Sequence, residues 1–108
     1  MIEAVGAERL DDYFRSCSRL LKPDGLMALQ AIVIRDQFFE RAARTRDWLK
    51  AYIFPGSCLP SMHAMSSAVG DSTDMTVVRV ADFASHYAQT LRLWRERVFD
   101  PDREIRRL

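Results

Sequence analysis

Glycine is scarce in this 108-residue chain, and its four glycines, Gly6, Gly25, Gly56 and Gly70, lie far apart. A loop that cradles a phosphate or a dinucleotide-like donor needs clustered glycines between a strand and a helix N-terminus, followed by an acid ~20 residues later. Nothing in the chain has that spacing, and Walker-type and nucleophile-elbow motifs are missing too. Two cysteines, Cys17 and Cys58, are too few for a disulfide framework. His63 and His86 stand apart from one another and from any thiol or carboxylate at ligand spacing, so no metal site is expected. The thiols read as reduced residues of a cytoplasmic protein. No apolar run reaches the ~18 residues that a membrane span needs. No basic stretch leads into an apolar one at the N-terminus, so no signal peptide is expected. Sixteen basic against fifteen acidic residues give a formal net charge of +1, which excludes a whole-chain field drawing it to nucleic acid or membrane.

The chain does have the makings of a folded core. Hydrophobic residues make up 48% and charged residues 29%, the balance of an ordinary globular domain. One domain with a modest core is the most that this length allows. Leu10, Tyr13, Phe14, Cys17, Leu20 and Leu21 recur with helical period, which predicts an amphipathic helix over 7–21. Lys22-Pro-Asp-Gly25 follows as a turn, with proline preset at its second position. Leu26 to Ile34 is almost continuously apolar and reads as a strand buried on both faces, interrupted by Gln30. Asp36 is placed to cap one long helix carrying Phe39, Ala42, Ala43, Leu49, Tyr52 and Ile53, which Pro55-Gly56 ends. Ser61 caps a short helix with Met62, Met65 and Val69 that Gly70 closes. Met75 to Val80 is β-branched and alternating, a second strand. A last helix runs from about Ser85 through Tyr87, Leu91, Trp94 and Val98.

Arginines gather at Arg41, Arg44 and Arg46, and again at Arg92, Arg95, Arg97, Arg103, Arg106 and Arg107. Acids are interleaved in both places, so solvated helix faces are favoured over a contact with anionic lipid. Aromatic residues are not interleaved among the last arginines, and no nucleic-acid partner is expected. The order helix, strand, helices, strand, helix is that of an α/β chain, the second half of a doubly wound sheet with about two strands.

Three segments carry a resemblance. Tyr52-Ile-Phe-Pro-Gly-Ser-Cys-Leu-Pro-Ser61, Ser85-His-Tyr-Ala-Gln-Thr-Leu-Arg-Leu-Trp94 and Met1-Ile-Glu-Ala-Val-Gly6 resemble the cyclopropane-fatty-acyl-phospholipid synthases and mycolic acid cyclopropane synthases. The likeness runs from residue 1 to about Val98. It implies a Rossmann-like methyltransferase that takes a methyl group from S-adenosylmethionine to the double bond of a phospholipid acyl chain. It also implies that residues 1–108 form a single partial domain, lacking the donor-binding half and the final strand. In that family a bound bicarbonate removes a proton after methyl transfer, and the ring then closes. The resemblance places Glu3, Gln30, the Ile32 carbonyl and Tyr87 in this bicarbonate pocket, and Ile53, Phe54 and Leu59 along the acyl chain. A small buried anion needs donors around it, since an uncompensated charge in a dry site is costly.

One position departs from the family pattern. Leu29-Gln30-Ala31-Ile32 stands where well-studied members have Leu-His-Thr-Ile. Glutamine still donates and accepts hydrogen bonds, but it does not titrate near neutral pH as histidine does. Simple methylation of the unsaturated chain therefore stands beside ring formation as the expected outcome. The residues also have plain readings: Glu3 as an exposed acid, Gln30 as a buried amide bonded to nearby backbone, Tyr87 as a core aromatic. The resemblance further implies a cytoplasmic location, with peripheral contact at the inner face of the membrane. The unfilled strand edges imply self-association. A chain of this kind can instead be a non-catalytic α/β interaction module derived from such an enzyme, and that alternative stays open.

Overall fold

The computed structural model describes residues 1–100, and every regular element among them is helical. Two short 3-10 turns, Ile2–Ala4 and Ala7–Arg9, lead into α1, Leu10–Leu20. Then come α2 (Asp36–Arg44), α3 (Trp48–Tyr52), α4 (Met62–Ser72) and α5 (Ala84–Phe99). The chain divides into two units, Met1–Val78 and the part from Arg79 onward. Arg103, Arg106 and Arg107 lie outside the described residues.

The first unit is built on α1 and α4. Leu10 and Phe14 lie one turn apart on α1, and Met65, Ala68 and Val69 share one face of α4. With Ile2 they form the buried core, and Tyr13, Ala31, Phe39, Ala64 and Met75 pack around it. The ring of Phe14 meets that of Tyr13 edge-on at 5.2 Å. Each such side chain, fully buried, contributes about 1.5–3 kcal/mol before chain entropy is counted. Asp11 and Asp12 in the first turn of α1 and Arg19 in the last complement its dipole. The helix ends where Leu21 turns extended, and its N–H still donates to the carbonyls of Cys17 and Ser18.

The Lys22–Gly25 turn closes with the Gly25 N–H donating to the Lys22 carbonyl at 2.9 Å. Its left-handed residue is Asp24, at φ +63°. Gly25 is needed for another reason: a Cβ there would sit 2.8 Å from the Lys22 carbonyl oxygen.

Three expectations are overturned. Neither Leu26–Ile34 nor Met75–Val80 is a strand. The only β-pairing among the described residues is a single parallel bridge between Ile34 and Ser61. A strand exists only through a ladder to neighbouring backbone, and beyond that one bridge at Ile34 neither run has one among the described residues. Leu26, Ile32 and Val78 are 84%, 53% and 81% exposed, and Gln30 is exposed as well, so the first run is not buried on two faces. The α/β class thus reduces, in the described residues, to a helix-rich arrangement.

The long helix predicted after Asp36 is broken in two. Thr45 is extended, and Asp47 restarts the chain as the cap of α3 by accepting the Lys50 N–H at 2.9 Å. Lys50 secures the break, since its ammonium donates to the Ala42 carbonyl and, at 3.1 Å, to that of Thr45. A cation there complements the negative end of α2. Gly70 does not close α4, which continues to Ser72 and ends at an extended Thr73. In the second unit α5 runs Ala84–Phe99, close to the predicted span, and buries none of its residues.

Candidate functional site

Ile2 is 1% exposed and anchors the first 3-10 turn in the core, which brings Glu3 to residue 32. The Glu3 Oε1 accepts the Ile32 N–H at 2.8 Å, across 29 positions of sequence. Its Oε2 accepts a hydrogen bond from the Met1 ammonium at 2.7 Å. Its main-chain carbonyl accepts the Cys58 N–H at 2.8 Å. Burial alone pushes the carboxyl up; the Met1 ammonium, the Ile32 N–H and Glu3's own N–H together outweigh it. The carboxyl therefore lies below its usual range and is ionised at neutral pH.

The neighbouring segments are held by the same kind of tie. The Ile34 N–H donates to the Pro60 carbonyl at 3.0 Å. Ser61, 1% exposed, caps α4 by accepting the Ala64 N–H at 3.1 Å, as its position predicts. Asp36 does something unpredicted. It is the first residue of α2 rather than its cap, and its Oδ1 accepts the His63 N–H at 2.9 Å. The N-terminus of α4 thus has two side-chain acceptors, one from 27 residues upstream. The Ser61 hydroxyl first, and then the His63 N–H, hold the Asp36 carboxyl below its ordinary range. A cap at Asp36 was legible; that it would serve a distant helix was not.

The expected site residues are distributed as follows. Glu3 and Ile32 meet directly, through the amide of Ile32. Gln30 is two residues upstream on the same run, with its side chain exposed rather than bonded within a core. Tyr87 belongs to the second unit, on α5, and is 43% exposed, so it is not a core aromatic. Ile53, Phe54 and Leu59 flank a turn in which the Ser57 N–H donates to the Phe54 carbonyl at 3.1 Å. They are 48%, 60% and 39% exposed. This turn lies beside the first segment: a Cβ on Gly6 would approach the Gly56 carbonyl to 3.4 Å, and both glycines have positive φ. Cys58, on the same loop, is buried, and burial pushes its thiol up while Lys50 opposes. Sequence reading treated it only as a thiol and missed its amide.

A groove of about 320 Å³ opens beside this region, lined by Ile34, Phe38, Arg41, Ala42, Thr45 and Asp47. The Arg41 guanidinium lies 5.6 Å above the Phe38 ring. Among the described residues no group of His, Cys, Asp and Glu is placed to hold a metal. No helix among them is long and apolar enough to cross a membrane.

The described residues do not fit S-adenosylmethionine. Gly25 is consumed in a turn, Gly70 lies inside α4, and Gly6 and Gly56 are single turn positions. Gly6 precedes the 3-10 turn Ala7–Arg9, but as a lone glycine with no strand before it, it lacks the cluster of a phosphate- or sulfonium-nucleoside loop.

A tuberculostearic acid methyltransferase of Mycobacterium tuberculosis is 42% identical over 97 residues, covering 90% of this chain and 23% of that protein. The cyclopropane-fatty-acyl-phospholipid synthase of Escherichia coli is 31% identical over 97 residues, 90% of this chain and 24% of its own length. A cyclopropane mycolic acid synthase of Mycobacterium tuberculosis is 31% identical over 103 residues, 87% of this chain and 36% of its own. The chain thus spans about a quarter to a third of the curated relatives it matches. The family model described as mycolic acid cyclopropane synthetase matches residues 1–108, and the chain belongs to that family.

Proposed function

We propose that this chain is the acceptor-side part of an S-adenosylmethionine-dependent methyltransferase acting on unsaturated acyl chains of phospholipids. In the complete fold, Leu26–Ile34 and Met75–Val80 become strands of a Rossmann-like sheet once neighbouring backbone lies beside them. Glu3, Gln30, the Ile32 carbonyl and Tyr87 then line a pocket for bicarbonate, and Ile53, Phe54 and Leu59 line the acyl path. The observation that carries this reading is the Glu3–Ile32 hydrogen bond, which joins two of the four pocket residues across 29 positions. Its chemistry suits the anion. Bicarbonate has one O–H to give, and an ionised carboxylate is an acceptor. The donor supplies the methyl group; these residues hold the base that removes a proton afterwards.

Methyl branching is favoured over ring closure. The support is Gln30 in place of histidine, together with the 42% identity to a methyltransferase named for tuberculostearic acid, against 31% for the two cyclopropane synthases. The protein works in the cytoplasm at the membrane face, where its exposed apolar residues meet lipid. The isolated 108-residue chain associates with itself through its unfilled backbone edges and does not bind the donor tightly.

The test uses protein containing this segment with methyl-labelled S-adenosylmethionine and vesicles of monounsaturated phospholipid. The lipid is recovered and analysed by mass spectrometry and proton NMR. Label is expected in a one-carbon branch on an acyl chain that keeps one double bond, because loss of the proton without a reductant leaves an alkene. Label in a cyclopropane ring would overturn the branching assignment, and no label in lipid would overturn the whole reading. Calorimetry of the isolated chain with S-adenosylhomocysteine should show no saturable micromolar binding.

A further inference from the structure

Residues 32, 34 and 36 are tied, each second residue in turn, to parts of the chain far away in sequence. The Ile32 N–H is held by Glu3, the Ile34 N–H by the Pro60 carbonyl, and the Asp36 carboxylate holds the His63 N–H. A fourth bond closes the circuit, from the Cys58 N–H to the Glu3 carbonyl. Residues 3, 32–36 and 58–63 thus form one ring of hydrogen bonds. Among the described residues, the run from Leu26 to Asp36 has no further hydrogen-bonded attachment to distant chain beyond these and the meeting of the Asp36 carboxyl with the Ser61 hydroxyl. Rotation of the run about its own axis would move the Ile32 carbonyl, and the ties at Ile32, Ile34 and Asp36 oppose it, together with the packing of Ala31 against the core. Glu3 is one end of that restraint and Asp36 the other.

We propose that Asp36 is a positioning residue for the Glu3–Ile32 pair, fixing the run that carries Ile32 by clamping its far end to the start of α4. Its carboxylate touches neither Glu3 nor Ile32. It acts through Ile34, which is held between the two ties. The catalytic consequence rests on the acceptor-pocket reading given above; the structural consequence does not.

The experiment separates the two. Amide hydrogen exchange is followed by NMR on the 108-residue chain and on Asp36→Ala, Asp36→Asn and Ser67→Gly. Ser67→Gly weakens α4 in mid-helix and removes no side-chain bond to its first turn, so it reports what loss of helix stability alone does. Asp36→Ala should speed exchange at Ile32 about tenfold, and Asp36→Asn, which keeps a neutral acceptor, should do so by less. Ser67→Gly should leave Ile32 close to the parent. Unchanged Ile32 exchange in Asp36→Ala, or equal acceleration in Ser67→Gly, would overturn the proposal. If Asp36→Ala does not fold, Asp36→Asn against Ser67→Gly decides by the same comparison. In the labelled-lipid assay Asp36→Asn should lower kcat with the lipid KM unchanged. A raised KM alone would refute the catalytic consequence. A parent protein that labels no lipid defeats the functional reading and leaves the exchange result standing.

Discussion

Replacing Phe14 with alanine should remove a large share of the stability of the first unit. Phe14 is 4% exposed and lies in the core with Ile2, Leu10, Met65, Ala68 and Val69. It also forms the edge-on ring contact with Tyr13. Cutting a buried phenylalanine to alanine costs about 3–5 kcal/mol, because the lost transfer energy is joined by a cavity the helices cannot fully close. A domain of this size has about 5–15 kcal/mol in all. With a urea m-value of about 2 kcal/mol per molar, a loss of about 4 kcal/mol moves the midpoint down by about 2 M. The assay is urea unfolding followed by far-UV circular dichroism. Leu91→Ala on α5 is the control: Leu91 is 46% exposed, and its loss should change stability by no more than about 0.5 kcal/mol. A Phe14→Ala midpoint within about 0.5 M of the parent would refute the assignment of the core. So would equal shifts in the two variants.

Two further outcomes follow from single residues. Gly70 lies inside α4 with open space where a Cβ would be, so Gly70→Ala should raise stability by about 0.5–1 kcal/mol. A lower thermal midpoint would contradict the placement of Gly70 within the helix. Glu3 has a folded-state pKa below its ordinary value of 4.5, so its contribution is present above that value and fades as pH falls through the folded one. Acidification below about pH 4.5 should therefore destabilise the parent more steeply than Glu3→Gln. Parallel stability–pH curves for the two would show that the carboxylate is not held by its partners.

What the sequence made legible was what it encodes locally. Leu10 and Phe14, one turn apart, announce the buried face of α1. Ser61 stands three residues before the amide it caps, and Lys22-Pro-Asp-Gly25 spells its own turn. Most of the misreadings concern partners that apolar periodicity does not see, several of them distant along the chain. Leu26–Ile34 has the composition of a buried strand, yet a ladder is a property of two backbones, and its amides go to Glu3 and Pro60 instead. The break at Thr45 depends on Lys50 reaching back to two carbonyls, a contact that apolar periodicity does not register. Asp47 was the local sign of that break, a capping residue three positions before the amide it accepts. Asp36 was recognised as a capping type and assigned to the wrong helix. The pairing of Glu3 with Ile32 came from family motifs alone; no spacing rule joins residues 29 apart.

The position of Ile2 bears on how the chain is made. Its side chain is packed among residues of α4, some sixty positions later in synthesis. At roughly 5–20 residues per second, a ribosome leaves it without that partner for several seconds. The greasy first turn must wait in solvent or under a chaperone until α4 emerges, so a translational pause before α4 has left the ribosome should expose nascent chains to aggregation more than a pause after it has.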